Sequence, residues 1–126
     1  MTKRTALNGR RVLIVEDQYI IADEMNRAVL ALGGVPVGPF ASVEQAHCQL
    51  EQDEGEIALA LLDVNLGGET AYPLADELEA RKVAVVFATG YEDWVIPPSH
   101  RKHRIMQKPV TRAALERLIQ RLDLRS

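Results

Sequence analysis

Ile57-Ala58-Leu59-Ala60-Leu61-Leu62-Asp63 is an unbroken run of six apolar residues that ends on a carboxylate. A strand made from that run has no polar face, so it must be covered on both sides. An antiparallel sheet with one wet face does not do this; a parallel sheet flanked by helices does. Val83-Ala-Val-Val-Phe-Ala88 is a second run of the same kind, and Val12-Leu-Ile-Val15 is a shorter one. Val35-Pro-Val37 is a further short strand, and its proline, lacking an N–H, suits the edge of a sheet. Arg104-Ile-Met-Gln107 completes the set as a short fifth strand.

Helical patterns fill the spaces between these runs. Ile21, Met25, Ala28, Val29 and Leu32 fall on one helical face, and Gly33-Gly34 supplies a stop after them. Ser42-Val-Glu-Gln45 reads as a capping box, opening a helix that turns Val43, Ala46 and Leu50 inward. Ala71 to Arg81 is helical, with Ala71, Leu74, Ala75 and Leu78 on one side. Thr111 caps a last helix that carries Leu115, Leu118, Ile119 and Leu122 at core spacing. Strand and helix therefore alternate, and right-handed crossovers restrict the topology to a doubly wound α/β fold. The expected architecture is a flavodoxin-like (βα)5 domain with a five-stranded parallel sheet in the order 2-1-3-4-5. Its fourth helix is expected to be irregular, because Pro97-Pro98 interrupts it.

The 126 residues suffice for one domain, expected to be a single unit over 1–126 with residues 1–9 as an N-terminal tail and no output domain. The formal net charge of −3 and pI near 5.6 give no pull toward nucleic acid or anionic membrane. One cysteine, Cys48, excludes an internal disulfide and any multi-cysteine zinc site. No apolar run of about 18 residues is present to cross a membrane, and no signal-peptide pattern opens the chain, so a cytoplasmic protein is the expectation.

In doubly wound folds the site lies beyond the carboxyl ends of the strands. The first strand ends at Glu16-Asp17, the third at Asp63, the fourth at Thr89-Gly90 and the fifth at Lys108-Pro109. Three carboxylates, a hydroxyl and an ammonium thus converge on one edge. Clustered acids repel and raise one another's pKa unless a cation joins them. Mg²⁺, a hard ion preferring oxygen ligands, fits such a set and leaves positions for phosphoryl oxygens. One carboxylate can then act as a nucleophile and form an aspartyl phosphate, with Lys108 and Thr89 placed to hold the equatorial oxygens.

This order of residues resembles the response-regulator receiver: an acidic pair after strand one, Asp after strand three, Thr after strand four, Lys-Pro after strand five. The resemblance spans nearly the whole chain. It implies a phosphoacceptor at Asp63, Mg²⁺ held by Asp17, Asp63 and the Asn65 backbone carbonyl with Glu16 holding a metal-bound water, and phosphoryl binding by Thr89 and Lys108. It also implies a CheY-like role in bacterial two-component phosphorelays, with a histidine kinase as donor and output through an unknown downstream protein. Phe87-Ala-Thr-Gly-Tyr91 is similar to the motif of the FAT GUY receivers, mostly single-domain regulators partnered by HWE and related histidine kinases. Ile105 in place of an aromatic residue, Gly67-Gly68 where proline is usual, and Pro97-Pro98 fit that subgroup. A monomer or weak dimer is expected.

Two other functions compete. A hydrolase-like phosphotransferase would also use an aspartyl phosphate, but it needs an acid two residues after the nucleophile, where Asn65 stands, and a cap segment. A flavodoxin-type nucleotide module needs a phosphate-cradling loop after the first strand, which is lacking. Gly67-Gly68 reads as a flexible loop, His47 as part of a solvated helix face, and His100-Arg-Lys-His-Arg104 as a basic docking edge. Tyr91 and Trp94 fit either core or recognition. Residues 91–103 are expected to be the least stable part of the site face, ordered by phosphorylation.

Overall fold

A computed structural model describes residues 6–53, 55–66, 69–90, 104–122 and 124. The strands are β1 (Arg11–Val15), β2 (Val35–Phe40), β3 (Leu59–Asp63), β4 (Asn65–Leu66), β5 (Glu69–Thr70), β6 (Ala84–Thr89) and β7 (Arg104–Gln107). The helices are α1 (Tyr19–Ala31), α2 (Val43–Gln52), α3 (Tyr72–Ala80) and α4 (Arg112–Arg121). Five strands pair in parallel in the order β2-β1-β3-β6-β7, the expected doubly wound flavodoxin-like sheet. The irregular fourth helix, Tyr91, Trp94 and the His100–His103 part of the basic run lie outside the described residues.

The apolar runs divide their side chains strictly between two faces. Leu13, Val15, Ala60, Leu62, Val85 and Phe87 pack under α2 and α3, with Ala46, Leu50, Leu74, Ala75 and Leu78 facing them. Val12, Ile14, Leu59, Leu61, Val86 and Ala88 pack on the other face under α1 and α4, against Met25, Val29, Leu115 and Ile119. This is period-2 alternation in which both faces are apolar, so the sequence shows a continuous run. Phe87 is fully buried and meets Tyr72 edge-on, with ring centroids 5.6 Å apart.

Local signals act mostly where they were read. Gly33, at φ 82°, ends α1: its N–H donates to the Leu30 carbonyl and that of Gly34 to the Val29 carbonyl, the paired bonds of a Schellman cap. Thr111 Oγ1 accepts from the Ala114 amide and caps α4. Ser42 Oγ accepts from the Gln45 amide, but Gln45 Oε1 reaches back to the Ala41 N–H and not to that of Ser42. Strand β2 runs to Phe40, three residues further than expected, and lies at the sheet edge that Pro36 requires.

Residues 1–9 are not all tail. Leu7 is fully buried in the α1/α4 layer and donates its N–H to the Leu32 carbonyl, while the Gly9 amide donates to Gly33. A single leucine between polar residues has no period, so the sequence pattern did not reveal it. His47 also does more than face solvent: its Nδ1 lies 2.7 Å from Glu77, joining α2 to α3.

Arg11 at the start of β1 pairs with Asp53 through Nη1 and Nη2, and Asp53 also accepts from the Gly55 amide and Gln49. The guanidinium, then the Gly55 N–H, hold the Asp53 carboxyl well below the usual carboxylate range. A depressed carboxylate stabilises the fold above its unfolded pKa and loses that effect as pH falls through the folded value. Asp53→Asn is therefore expected to lower the melting temperature at pH 7, with the gap to the parent protein narrowing by pH 3. An equal gap at both pH values would count against the pairing.

Candidate functional site

The carboxyl ends of β1, β3, β6 and β7 deliver the site. Strand β3 keeps Asp63 as its last residue, opposite Ala88 of β6, so Thr89 stands one step further along the neighbouring strand. Glu16 and Asp17 follow β1 directly, and the Glu16 amide is fixed by the Phe40 carbonyl of β2. Lys108 follows β7, and its amide donates to the Thr89 carbonyl at 2.8 Å. The Lys108-Pro109 bond is cis. Glu16, Asp17, Asp63, Thr89 and Lys108 therefore stand together at the carboxyl ends of one sheet's strands.

Glu16 and Asp63 are each only 2 % exposed, and Thr89 is 4 % exposed; Asp17 is open to solvent. One carboxylate oxygen from each of Glu16, Asp17 and Asp63 lies within 4.8 Å of the others. Lys108 Nζ sits between the two buried acids, 2.9 Å from Glu16 Oε1 and 3.2 Å from Asp63 Oδ1. Asp63 Oδ1 also accepts from the Asn65 amide at 3.2 Å, and Glu16 Oε2 accepts from the Gln18 amide at 3.1 Å.

The electrostatics follow from this crowding. Burial raises the Glu16 carboxyl to about 7; the Lys108 ammonium opposes the rise, the Asp63 carboxylate adds to it, and the Gln18 N–H opposes it. Burial alone would lower the Lys108 ammonium, but the nearby Glu16 and Asp63 carboxylates more than reverse that, and the net shift is upward. One ammonium serves two buried acids with a third acid alongside, so the pocket still favours a further cation. The donors are all carboxylate oxygens, the set chosen by a hard divalent ion, and Mg²⁺ fits them.

The sequence did not reveal the two-residue ladder β4–β5, which pairs Asn65 with Thr70 and Leu66 with Glu69 in antiparallel fashion. Strands of two residues carry no readable period. Leu66 and Val64 are nevertheless buried in the α2/α3 layer, and the Ala71 amide closes onto the Val64 carbonyl. The chain after Asp63 is thus pinned at both ends, which fixes the Asn65 amide against the carboxylate.

Fold and site together define a doubly wound α/β domain with an acidic, Mg²⁺-compatible pocket at the carboxyl ends of its strands. The chain is similar to SdrG from Sphingomonas melonis Fr1, solved in solution: 36% identity, 90% of this chain and 95% of that chain covered, TM-score 0.79. The BeF3-activated conformation of SdrG, from Pseudomonas melonis Fr1, aligns at 37% identity, covering 87% and 92% of the two chains, with TM-score 0.73. A response regulator receiver domain (CheY-like) from Methylobacillus flagellatus shares the fold at 20% identity, covering 89% and 97%, with TM-score 0.75. Sensory transduction protein LytT of Bacillus subtilis (strain 168) is 30% identical over 89 residues, 68% of this chain and 36% of LytT; the chain thus spans about a third of that curated relative's length. No family model matches the chain. The chain belongs to the response-regulator receiver (CheY-like) family of two-component signalling. Such domains are phosphoacceptors rather than conventional enzymes. No helix among the described residues is long and apolar enough to cross a membrane.

Proposed function

We propose that the chain is a stand-alone receiver that accepts a phosphoryl group from a histidine kinase onto Asp63 and passes the signal on by protein contact. The observation that carries this reading is the buried Asp63 carboxylate held at a strand end by Lys108 and the Asn65 amide, beside two further acids. In the transfer, the P–N bond of the donor phosphohistidine breaks as an Asp63 oxygen forms the new O–P bond, and the imidazole leaves with the electron pair. Lys108, anchored through its backbone to Thr89, holds positive charge against the phosphoryl oxygens as they leave the donor. The Thr89 hydroxyl donates to one of those oxygens. Asp17, Asp63 and the Asn65 carbonyl would hold Mg²⁺, with Glu16 placed to hold a water beside it. Bound there, the ion would supply charge neutralisation to the transferred group.

The donor is a histidine kinase of the HWE type, on the strength of Phe87-Ala-Thr-Gly-Tyr91. The domain works in the cytoplasm, as a monomer or a weak dimer. A phosphotransfer profile against the histidine kinases of its own cell tests the reading. Rapid labelling by one or a few kinases is expected; no labelling by any of them or by acetyl phosphate would refute it.

Metal binding gives a separate check. An ion that binds the folded acid cluster and not the unfolded chain raises stability by RT ln(1 + [L]/Kd), or about 1.4 kcal/mol at tenfold excess over Kd. For a domain of this size that is a rise of roughly 3–6 °C in melting temperature. Asp17→Asn should erase most of the rise. A melting temperature indifferent to tens of millimolar Mg²⁺ in the parent protein would remove the metal from the mechanism.

A further inference from the structure

At the opposite end of the sheet from Asp63, where β1, β3 and β6 begin, lies a cavity of about 860 Å³. Its apolar floor is made by Leu50, Ile57, Ala58 and Val83. Its rim carries Arg10, Arg11, Arg81 and Lys82, together with Glu51, Asp53 and Glu56. Most of these charges are already matched. Arg11 pairs with Asp53 and Arg81 with Glu77 and the Leu50 carbonyl, while Glu51 lies 3.5 Å from the His47 imidazole, a charge partner only when protonated.

Two cations remain. Arg10 has one hydrogen bond, from Nη1 to the Leu7 carbonyl at 3.3 Å, and its Nε is buried with no acceptor. Lys82 has no acidic partner among the described residues. A buried N–H without an acceptor carries a desolvation cost that an incoming oxyanion would cancel. Among the described rim residues Glu56 is an acid with no cation against it, so a carboxylate ligand is drawn to Arg10 and Lys82 locally and not by an excess of positive charge. Lys82 also sits at φ 64°, just past the end of α3, where glycine is the favoured residue.

We infer that this cavity binds a small organic carboxylate with an apolar body, its oxyanion taken by Arg10 and Lys82 and its body laid on Leu50, Ile57 and Val83. The site is separate from the phosphoacceptor pocket and does not depend on that pocket's assignment. A ligand there would contact the starts of the strands whose other ends carry Glu16, Asp17 and Asp63.

Benzoate is a suitable probe, with benzyl alcohol as the body without the charge and acetate as the charge without the body. Amide chemical shifts of Gly9, Gly55, Ile57 and Val83 should move saturably with benzoate, at least about tenfold more tightly than with either control; one charge-assisted hydrogen bond accounts for that ratio. Lys82→Gly suits the backbone better than lysine and should keep the fold while weakening benzoate about threefold. Arg10→Gln should weaken it about tenfold. No saturable shift up to tens of millimolar, shifts confined to the Asp63 end, or parent-like affinity in both variants would overturn the inference.

Discussion

Asp63→Asn is expected to abolish phosphorylation, with labelling by acetyl phosphate or a phosphorylated kinase falling by at least about a hundredfold. The amide has the shape of the carboxylate and can still accept from the Asn65 N–H, so the fold around it has no reason to change. What it lacks is the negative oxygen that attacks phosphorus, and a neutral amide is a poor nucleophile. Loss of labelling with an intact fold therefore isolates the chemistry. Stability gives an independent reading. Glu16 titrates near 7 because of burial and its neighbours, Asp63 among them. A carboxyl whose folded pKa is raised makes stability fall as pH climbs from its unfolded value near 4.5 to its folded value. Removing the Asp63 charge takes away part of that rise, so Asp63→Asn should lose less stability between pH 5 and 7 than the parent protein does. Acid-stable labelling that persists in the variant would place the phosphoryl group elsewhere.

The layered fold was legible because long apolar runs of period 2 and helical faces of period 3.6 are dictated by burial on both sides of the sheet. Ile57–Asp63 and Val83–Ala88 leave little freedom, and their strand ends carried Asp63 and Thr89 with them. Glu16, Asp17 and Lys108 were legible for the same reason: topology, not local pattern, brings strand ends together. Features that depend on a single tertiary contact were not. Leu7 reads as tail because its burial arises only where α1 ends beside it. His47 reads as solvated because its partner, Glu77, is on another helix. The β4–β5 ladder is too short to have a period. The Gln45 bond slips by one residue because a flexible side chain can reach either of two adjacent amides. The expectation for residues 91–103 falls outside the described residues.

Lys108→Ala should produce the second large effect, and in an unusual combination. Lys108 is 11% exposed and is the cation within 3.2 Å of two buried carboxylates. Removing one member of a buried pair typically costs about 3–5 kcal/mol. Here the cost should be smaller, roughly 2 kcal/mol at pH 7 without Mg²⁺, because Glu16 already titrates near 7 and can take up a proton in place of the ammonium. The loss should therefore be smaller at pH 5, where Glu16 is protonated, than at pH 8, where it is not. Mg²⁺ should restore most of the lost stability and should bind more tightly than in the parent protein, since a competing cation has left. Phosphoryl chemistry should not recover with it: the metal neutralises the acids but does not supply the ammonium at the phosphoryl oxygens. Labelling should slow by about ten- to a hundredfold, a loss of roughly 1.4–2.7 kcal/mol of transition-state stabilisation. The amide shifts produced by beryllofluoride and Mg²⁺ at Thr89 should shrink as well, because the backbone bond from residue 108 to the Thr89 carbonyl remains but the ammonium that would carry the response into it is gone. Thermal melts at two pH values with and without Mg²⁺, alongside single-turnover labelling, separate these effects. Parent-like labelling and an unchanged beryllofluoride response in a folded Lys108→Ala protein would show that the lysine only balances charge, and its part in phosphoryl transfer would have to be withdrawn.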